Sequence, residues 1–290
     1  MTPSRFPHGG AVNGYNASLM GKSEPLLPGI VCMAMALALM MALPTTAVHA
    51  QSLVEVLDAV SRNVKEFQDL VPDFVCTEKV TSTEFDSGNV IKEKVVESVF
   101  TGFQRSSEEN RVRFAFTESR EVMAIDDKPV RKGTPFPKLP YRFAGAYTSL
   151  LTTTFAPESL PIHDYSIADT YKSGSSSALL VRFVTKENQQ QLRGIFQGAQ
   201  LVEKDIGSAW IDQKSFRVLR LQQRSLNLPP DITRSIATVD YGPVKIGESE
   251  FWIPTKIQAD VTERNPRITF SYLAEYSDCR KFMADVKLSP

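Results

Sequence analysis

The chain has 290 residues, of which 33 are basic and 33 acidic, so its formal net charge is zero. A near-neutral chain gives no reason to expect nucleic acid or an anionic membrane as a partner. Beyond residue 50 the one histidine is His163. A single histidine excludes a histidine-rich zinc site, and it would be the single candidate base for a serine nucleophile. Phosphate-binding loops, Rossmann glycine patterns and G-x-S-x-G segments are absent, and no acidic pair stands out for a hydrolase. We therefore expect a protein without cofactor, metal or catalytic residues.

The first 50 residues predict a cleaved secretory signal. Ile30–Leu43 is an uncharged apolar run, shorter than the roughly 20 residues that a membrane-spanning helix needs. Small residues follow, and the predicted cleavage lies between Ala50 and Gln51. Met20 begins a more ordinary signal than the first methionine and is an alternative start. We expect a periplasmic or secreted protein in which residues 51–290 form a single β domain without a transmembrane segment.

The first predicted element of this domain is a helix from Ser52 to Val71. Its apolar residues recur at steps of three and four, which places them on one face of a helix. Ser52 can cap the start with Glu55 as its capping-box partner, and Pro72 ends the helix. The apolar face comprises Leu53, Leu57, Val60, Val64, Phe67 and Val71.

A second, shorter helix is predicted after a proline-rich stretch, Val130–Tyr141, in which three prolines forbid a central strand. Its apolar face comprises Phe143, Tyr147, Leu150, Leu151 and Phe155. The stretch and the helix could form a lid over a cavity. Alternatively, they could be an ordinary crossover whose helix plugs one end of a sheet.

The rest of the chain predicts long antiparallel strands separated by polar turns. In the hairpin Gly207–Gln222, Asp212 can bond the backbone two residues on. Strict alternation there places Leu219 and Leu221 on one face and Phe216, Val218 and Arg220 on the other. Residues 187–205 are compatible with a short helix or with an exposed hairpin. Further turns are predicted at Asp86–Asn89, Asp126–Pro129, Gly247–Glu248 and Asn265–Pro266.

These elements indicate a mainly β fold of the α+β type. We expect a curled antiparallel sheet, or half-open β-barrel, of about nine to eleven strands. The N-terminal helix and the mid-chain helix should lie over its concave side. Cys76 and Cys279 remain after the signal, and export favours a disulfide over two buried thiols. The bridge would tie the first strand to the last and stabilise the fold by about 4–5 kcal/mol on the chain-entropy model.

Three segments resemble a known family. "AWIDQKSFRVLRLQ", "YGPVKIGESEFWIPTKIQADV" and "FSYLAEYSDCRKF" are similar to hairpins of periplasmic lipoprotein carriers of the LolA/LolB type. "LVPDFVCTEKV" resembles the start of uncharacterised exported proteins of acidobacterial type. The resemblance implies a half-open antiparallel barrel with helices as a lid, an apolar concave cavity, and binding of lipid or acyl chains.

The predicted function is therefore a periplasmic binding protein for a lipid, acyl chain or other apolar ligand, with a role in envelope lipid or lipoprotein trafficking. The alternative is a non-catalytic envelope interaction module with a filled core, which binds a protein partner through Pro137–Arg142. Each cavity candidate has plain core packing as its alternative role. The candidates are Phe114, Phe116, Tyr147, Leu151, Trp210, Trp252 and Phe270.

Overall fold

The computed structural model describes residues 51–105, 115–143, 146–173, 176–189, 191–196, 199–264 and 268–282. The predicted signal with Ala50, the turn at Asn265–Pro266 and Phe114 lie outside the described residues. The α-helices are α1 (Leu53–Leu70) and α2 (Ala146–Phe155), and a short 3-10 helix spans Leu160–Ile162. The strands are β1 (Phe74–Asp86), β2 (Asn89–Arg105), β3 (Ala115–Ile125), β4 (Lys128–Pro129), β5 (His163–Ser173), β6 (Ser176–Thr185), β7 (Gln191–Phe196), β8 (Ala199–Glu203), β9 (Asp205–Asp212), β10 (Val218–Ser225), β11 (Ile232–Ile246), β12 (Ser249–Glu263) and β13 (Ile268–Lys281).

Eleven of these strands form one antiparallel sheet in the order β4-β3-β2-β1-β13-β12-β11-β10-β9-β6-β5. The sheet is open, because β4 and β5 lie at opposite ends of this order. The remaining two strands, β7 and β8, pair as a separate hairpin, so the ambiguous segment 187–205 is a hairpin and not a helix. The predicted mainly β fold, a curled half-open sheet with two helices, is confirmed.

The N-terminal helix forms as its sequence predicts. The side chain of Ser52 accepts a hydrogen bond from the backbone N–H of Glu55, and the carboxylate of Glu55 accepts one from the N–H of Ser52. This capping box satisfies two of the donors that a helix start leaves unpaired. Val56, Val60 and Val64 are buried along one face and join the core between the helices and the inner face of the sheet.

Within the described residues, the tight turns also form where they are predicted, because their residues tolerate positive φ. Ser87 and Gly88 join β1 to β2 with φ of 50° and 86°, and Asp126 and Asp127 follow β3 with φ of 49° and 58°. Such paired positive φ angles match the right-handed twist of hairpin strands. Gly247, with φ of 65°, begins the turn between β11 and β12.

Strict alternation is wrong in the hairpin of β9 and β10. Val218 lies opposite Ile211, but Arg220 lies opposite Trp210, so the register shifts by one residue at Leu219. This β-bulge moves Val218 and Leu221 to the same buried face, where strict alternation separates them. A bulge adds one residue to one strand and so inverts every later position.

The predicted disulfide between Cys76 and Cys279 forms, with a Cα–Cα distance of 4.1 Å and a sequence separation of 203 residues. It joins β1 to β13, which are neighbours in the middle of the sheet and not its two edges. The bridge therefore closes a loop that contains nearly all of the strands. A loop of this length corresponds to about 5 kcal/mol of stabilisation on the chain-entropy model.

Candidate functional site

An apolar cleft lies between the second half of α1 and the tips of two hairpins. Its volume is about 380 Å³. Helix α1 forms one wall and α2 contributes Leu151, while the turn before β10 and the start of β12 form the other wall. The lining residues are Val60, Asn63, Val64, Glu66, Phe67, Leu70, Val71, Leu151, Phe216, Arg217, Val218, Ser249, Glu250, Phe251 and Trp252.

The wall opposite α1 is held by the turn chemistry of Asp212. Its Oδ1 accepts hydrogen bonds from the backbone N–H groups of Lys214 and Ser215, at 3.1 and 2.7 Å, and from the Ser215 hydroxyl at 2.8 Å. Phe216 follows with φ of 56°, which turns the chain into the cleft. The Asn63 amide of α1 donates to the carbonyl of Ser215 at 2.9 Å and so ties the helix to this turn.

Trp252 and Arg217 form the centre of this wall. The indole N–H of Trp252 donates to the carbonyl of Val218 at 2.7 Å, which fixes the plane of the ring. The Arg217 guanidinium lies over that ring at 5.4 Å from its centroid. A cation over an indole face is attracted by the ring quadrupole. The cleft is therefore an apolar trough with one arginine on its wall and two exposed carboxylates, Glu66 and Glu250, at its rim.

The interior beside β1, β2, β3 and β13 is filled by a buried ionic cluster. Glu78 is fully buried, and its carboxylate accepts bonds from Arg120 at 2.7 and 2.9 Å, from Ser98 at 3.0 Å and from Tyr276 at 2.9 Å. Arg120 also bonds Glu118 at 3.1 Å. Burial alone lowers the pKa of Arg120, but the bond and charge of Glu78 outweigh burial and raise it above its ordinary value.

Three tyrosines surround this cluster and complete the filling. Tyr147 of α2 contacts Tyr276 at 4.8 Å between ring centroids and donates to the carbonyl of Pro254 at 3.3 Å. Burial, reinforced by the charge of Glu78, raises the pKa of Tyr147, Tyr272 and Tyr276 above the ordinary value of 10.0. These hydroxyls remain neutral, and α2 fills the concave side here as a plug.

The structure brings two of the predicted cavity residues, Leu151 and Trp252, together at the cleft. Tyr147 lies in the filled interior, and Phe270 packs near Tyr141 with ring centroids 6.3 Å apart. Trp210 does not face the concave side: Ala209 and Ile211 point into the core, so the residue between them faces outward.

Phe114 lies outside the described residues, and Phe116 lies on β3 opposite Gln104 of β2. The proline-rich stretch is anchored to the sheet. Leu139 is buried, and the Ser82 hydroxyl bonds both the backbone N–H and the carbonyl of Tyr141. Within Pro137–Arg142, the exposed side chains are therefore Lys138 and Arg142.

His163 starts β5, as expected, but it is buried. Its Nε2 lies 3.0 Å from Asp205, which also accepts bonds from Thr185 at 2.7 Å and from Gln223. The side chains of His163 and Asp205 are 0% and 1% exposed, so the pair is enclosed by the protein. In the part of the chain that the structure describes, no group of three or more His, Cys, Asp or Glu side chains is placed to hold a metal ion.

Sequence reasoning missed most of the cleft, including Leu70, Phe216 and Phe251. Leu70 carried a usable signal in the sequence, because it is an apolar residue outside the apolar face of the helix. In the structure its side chain is 59% exposed. The buried cluster gave another, because Glu78 has the same strand parity as Phe74, Cys76 and Val80, which all face inward. A carboxylate in an inward series requires a buried partner.

The fold and the cleft define a class of protein: an open, curled β-sheet closed over by two helices, with an apolar trough at one rim. No model of a protein family matches this sequence, and no curated protein matches it. None of the described helices has the length and apolar character of a membrane span.

Solved structures similar to the chain include three bacterial proteins. One is a DUF1329 family protein from Desulfovibrio piger, with 11% identity and a TM-score of 0.36, covering 83% of this chain and 96% of that chain. A LolA superfamily protein from Nitrosomonas europaea has 10% identity and a TM-score of 0.35, covering 80% and 96%. A domain assigned to outer membrane lipoprotein sorting, from Vibrio parahaemolyticus, has 11% identity and a TM-score of 0.35, covering 80% and 93%. Similarity at this level assigns neither a ligand nor a residue role to this chain.

Proposed function

We propose that this protein is an exported, non-catalytic binding protein that holds a lipid, an acyl chain or another apolar ligand in the cleft beneath α1. The observation that carries the proposal is the cleft itself. Its lining is mostly aliphatic and aromatic, with a few polar groups placed at the rim. Ligand sites have this character: apolar walls provide binding energy, and a small number of polar groups set orientation.

The volume favours a small ligand or a single chain. About 380 Å³ lies near the lower end of the roughly 300–1,000 Å³ found for small-molecule sites. The interior around Glu78 and Tyr147, beside β1 and β2, is occupied by buried side chains. A ligand would therefore lie against α1 and enter from the rim of the sheet.

Export is the second part of the proposal. We propose that the chain is cleaved between Ala50 and Gln51 and that the mature domain works in the periplasm or outside the cell, in lipid or lipoprotein trafficking. The Cys76–Cys279 bridge supports this location, because disulfides persist in oxidising compartments.

Native mass spectrometry of Gln51–Pro290, purified from periplasm without detergent, tests the proposal. We expect an extra mass that disappears after extraction with organic solvent. Leu70→Asp places a charge in the cleft and should abolish the extra mass. Val54→Asp is the matched control, because Val54 is also an exposed apolar residue of α1, at 68%, and does not line the cleft.

A ligand-free mass from a folded wild-type protein would contradict the proposal, as would equal retention of ligand by both variants. The first result would favour the second candidate function, an envelope interaction module. The exposed cations Lys138 and Arg142 beside the buried anchor Leu139 are the feature that favours a partner there. Charge reversal at Lys138 is the appropriate change to test this partner site, because deletion of Pro137–Arg142 would also remove the buried anchor Leu139.

A further inference from the structure

The outer face of the sheet carries a second groove, on the side away from the helices. Its volume is about 380 Å³, and it is lined by residues of β5, β6, β9, β10 and β11. Trp210 and the 47% exposed Tyr171 provide its aromatic surface, and Leu219, the residue at the β-bulge, adds an aliphatic one. Exposed aromatic side chains gathered in one concavity commonly mark a binding site.

The two tryptophans of the chain differ in how their N–H groups are used. The N–H of Trp252 bonds a backbone carbonyl, whereas that of Trp210 bonds no acceptor among the described residues. Arg220 likewise keeps a free nitrogen, because its bonds to Asp240 use Nε and Nη2, at 2.5 and 3.1 Å. The groove therefore offers spare donors beside flat apolar surfaces.

The charges at the groove cancel. Arg220 and Asp240, the charged residues that line it, are paired with each other. On the next strands, the cross-strand partner of Asp240 is Lys256, and the partner of Lys256 is Glu275. The sign of the side-chain charge therefore alternates from strand to strand, starting at Arg220. A groove without net charge gives no preference for an anion or a cation.

We propose that this groove binds a neutral pyranose sugar. Such a ring presents an apolar C–H face that can lie on Trp210 or Tyr171, and hydroxyl groups at its edge. The hydroxyls can accept from the spare donors of Trp210 and Arg220 and donate to the Asp240 carboxylate. The site is separate from the cleft beneath α1 and lies on the opposite face of the sheet.

Fluorine NMR of the mature protein labelled with 5-fluorotryptophan tests this proposal, because the chain has two tryptophans and each reports one site. Trp210→Phe and Trp252→Phe assign the two resonances. The probes are cellobiose, maltose and N,N′-diacetylchitobiose, with mannitol as a polyol that lacks a ring face. Dodecanoate is the separate probe for the cleft.

We expect at least one disaccharide to shift the Trp210 resonance saturably and to leave the Trp252 resonance unchanged. Tyr171→Ala should weaken that binding roughly three- to tenfold. The proposal is overturned if no disaccharide exceeds mannitol, if Tyr171→Ala binds equally well, or if the Trp210 resonance shifts with protein concentration alone, which would indicate a second copy in the groove. A dodecanoate response at Trp252 bears on the proposed apolar ligand and is independent of these outcomes.

Discussion

The filled interior around Glu78 and the cleft beneath α1 belong to the same concave face, but they bury their residues in different ways. In the interior, the Glu78 carboxylate is satisfied by the Arg120 guanidinium and the Tyr276 hydroxyl, and α2 closes the space with Tyr147. At the cleft, the walls are apolar and the polar groups remain at the rim. The buried Glu78 carboxylate already has its partners within the protein, whereas the apolar trough is stabilised by any apolar molecule that displaces water from it.

The largest expected effect is at the buried ionic cluster. Glu78→Ala should lower the free energy of unfolding by about 3–5 kcal/mol, because it leaves the Arg120 guanidinium buried without its main partner. The double variant Glu78→Leu/Arg120→Met should recover most of this loss, since it removes both charges. Urea denaturation measures both values. A double variant no more stable than Glu78→Ala would show that the cluster is not an isolated charge pair.

Substitutions at two phenylalanines distinguish the packed core from the wall of the cleft. Phe155 of α2 is fully buried, so Phe155→Ala should cost about 3–5 kcal/mol through lost burial and a new cavity. Phe251 is half-buried and already faces open space, so Phe251→Ala should cost roughly 1 kcal/mol. Denaturation of the ligand-free protein compares them, and equal losses would mean that the cleft is packed core in solution.

The smallest expected effect is at the turn that supports the cleft. Asp212→Ala should cost about 1 kcal/mol at neutral pH, because it removes the acceptor for Lys214 and Ser215. Burial by itself raises the pKa of Asp212, but these hydrogen bonds outweigh burial and lower it below the ordinary value of 3.8.

The pH dependence of this variant follows from the sign of that shift. A carboxyl group whose pKa is lowered by folding stabilises the protein above its ordinary pKa, and this contribution is lost as pH falls. The stability difference between the wild type and Asp212→Ala should therefore shrink below about pH 4. A difference that stays constant into acid would contradict this role of the carboxylate.

Local features could be predicted because their causes are local. The capping box of α1 depends on residues three apart, and the turns at Ser87–Gly88 and Gly247 depend on residues that accept positive φ. Strand alternation failed in β10, where a single bulge at Leu219 exchanged the faces. Away from the bulge, alternation holds. Trp210 lies between the core residues Ala209 and Ile211 and faces outward.

The amino-acid sequence by itself determined the helices, the turns, the antiparallel strands and the pair of cysteines, because propensity, capping and side-chain period act over a few residues. Only the tertiary structure decided that β1 lies beside β13, which brings Tyr276 within 2.9 Å of Glu78 across 198 positions of the chain. It also decided which apolar surfaces meet and which remain open as the cleft. These outcomes depend on strand order and on packing between distant segments. The sequence pattern of an inward-facing residue is the same whether its side chain packs against another side chain or lines a cavity.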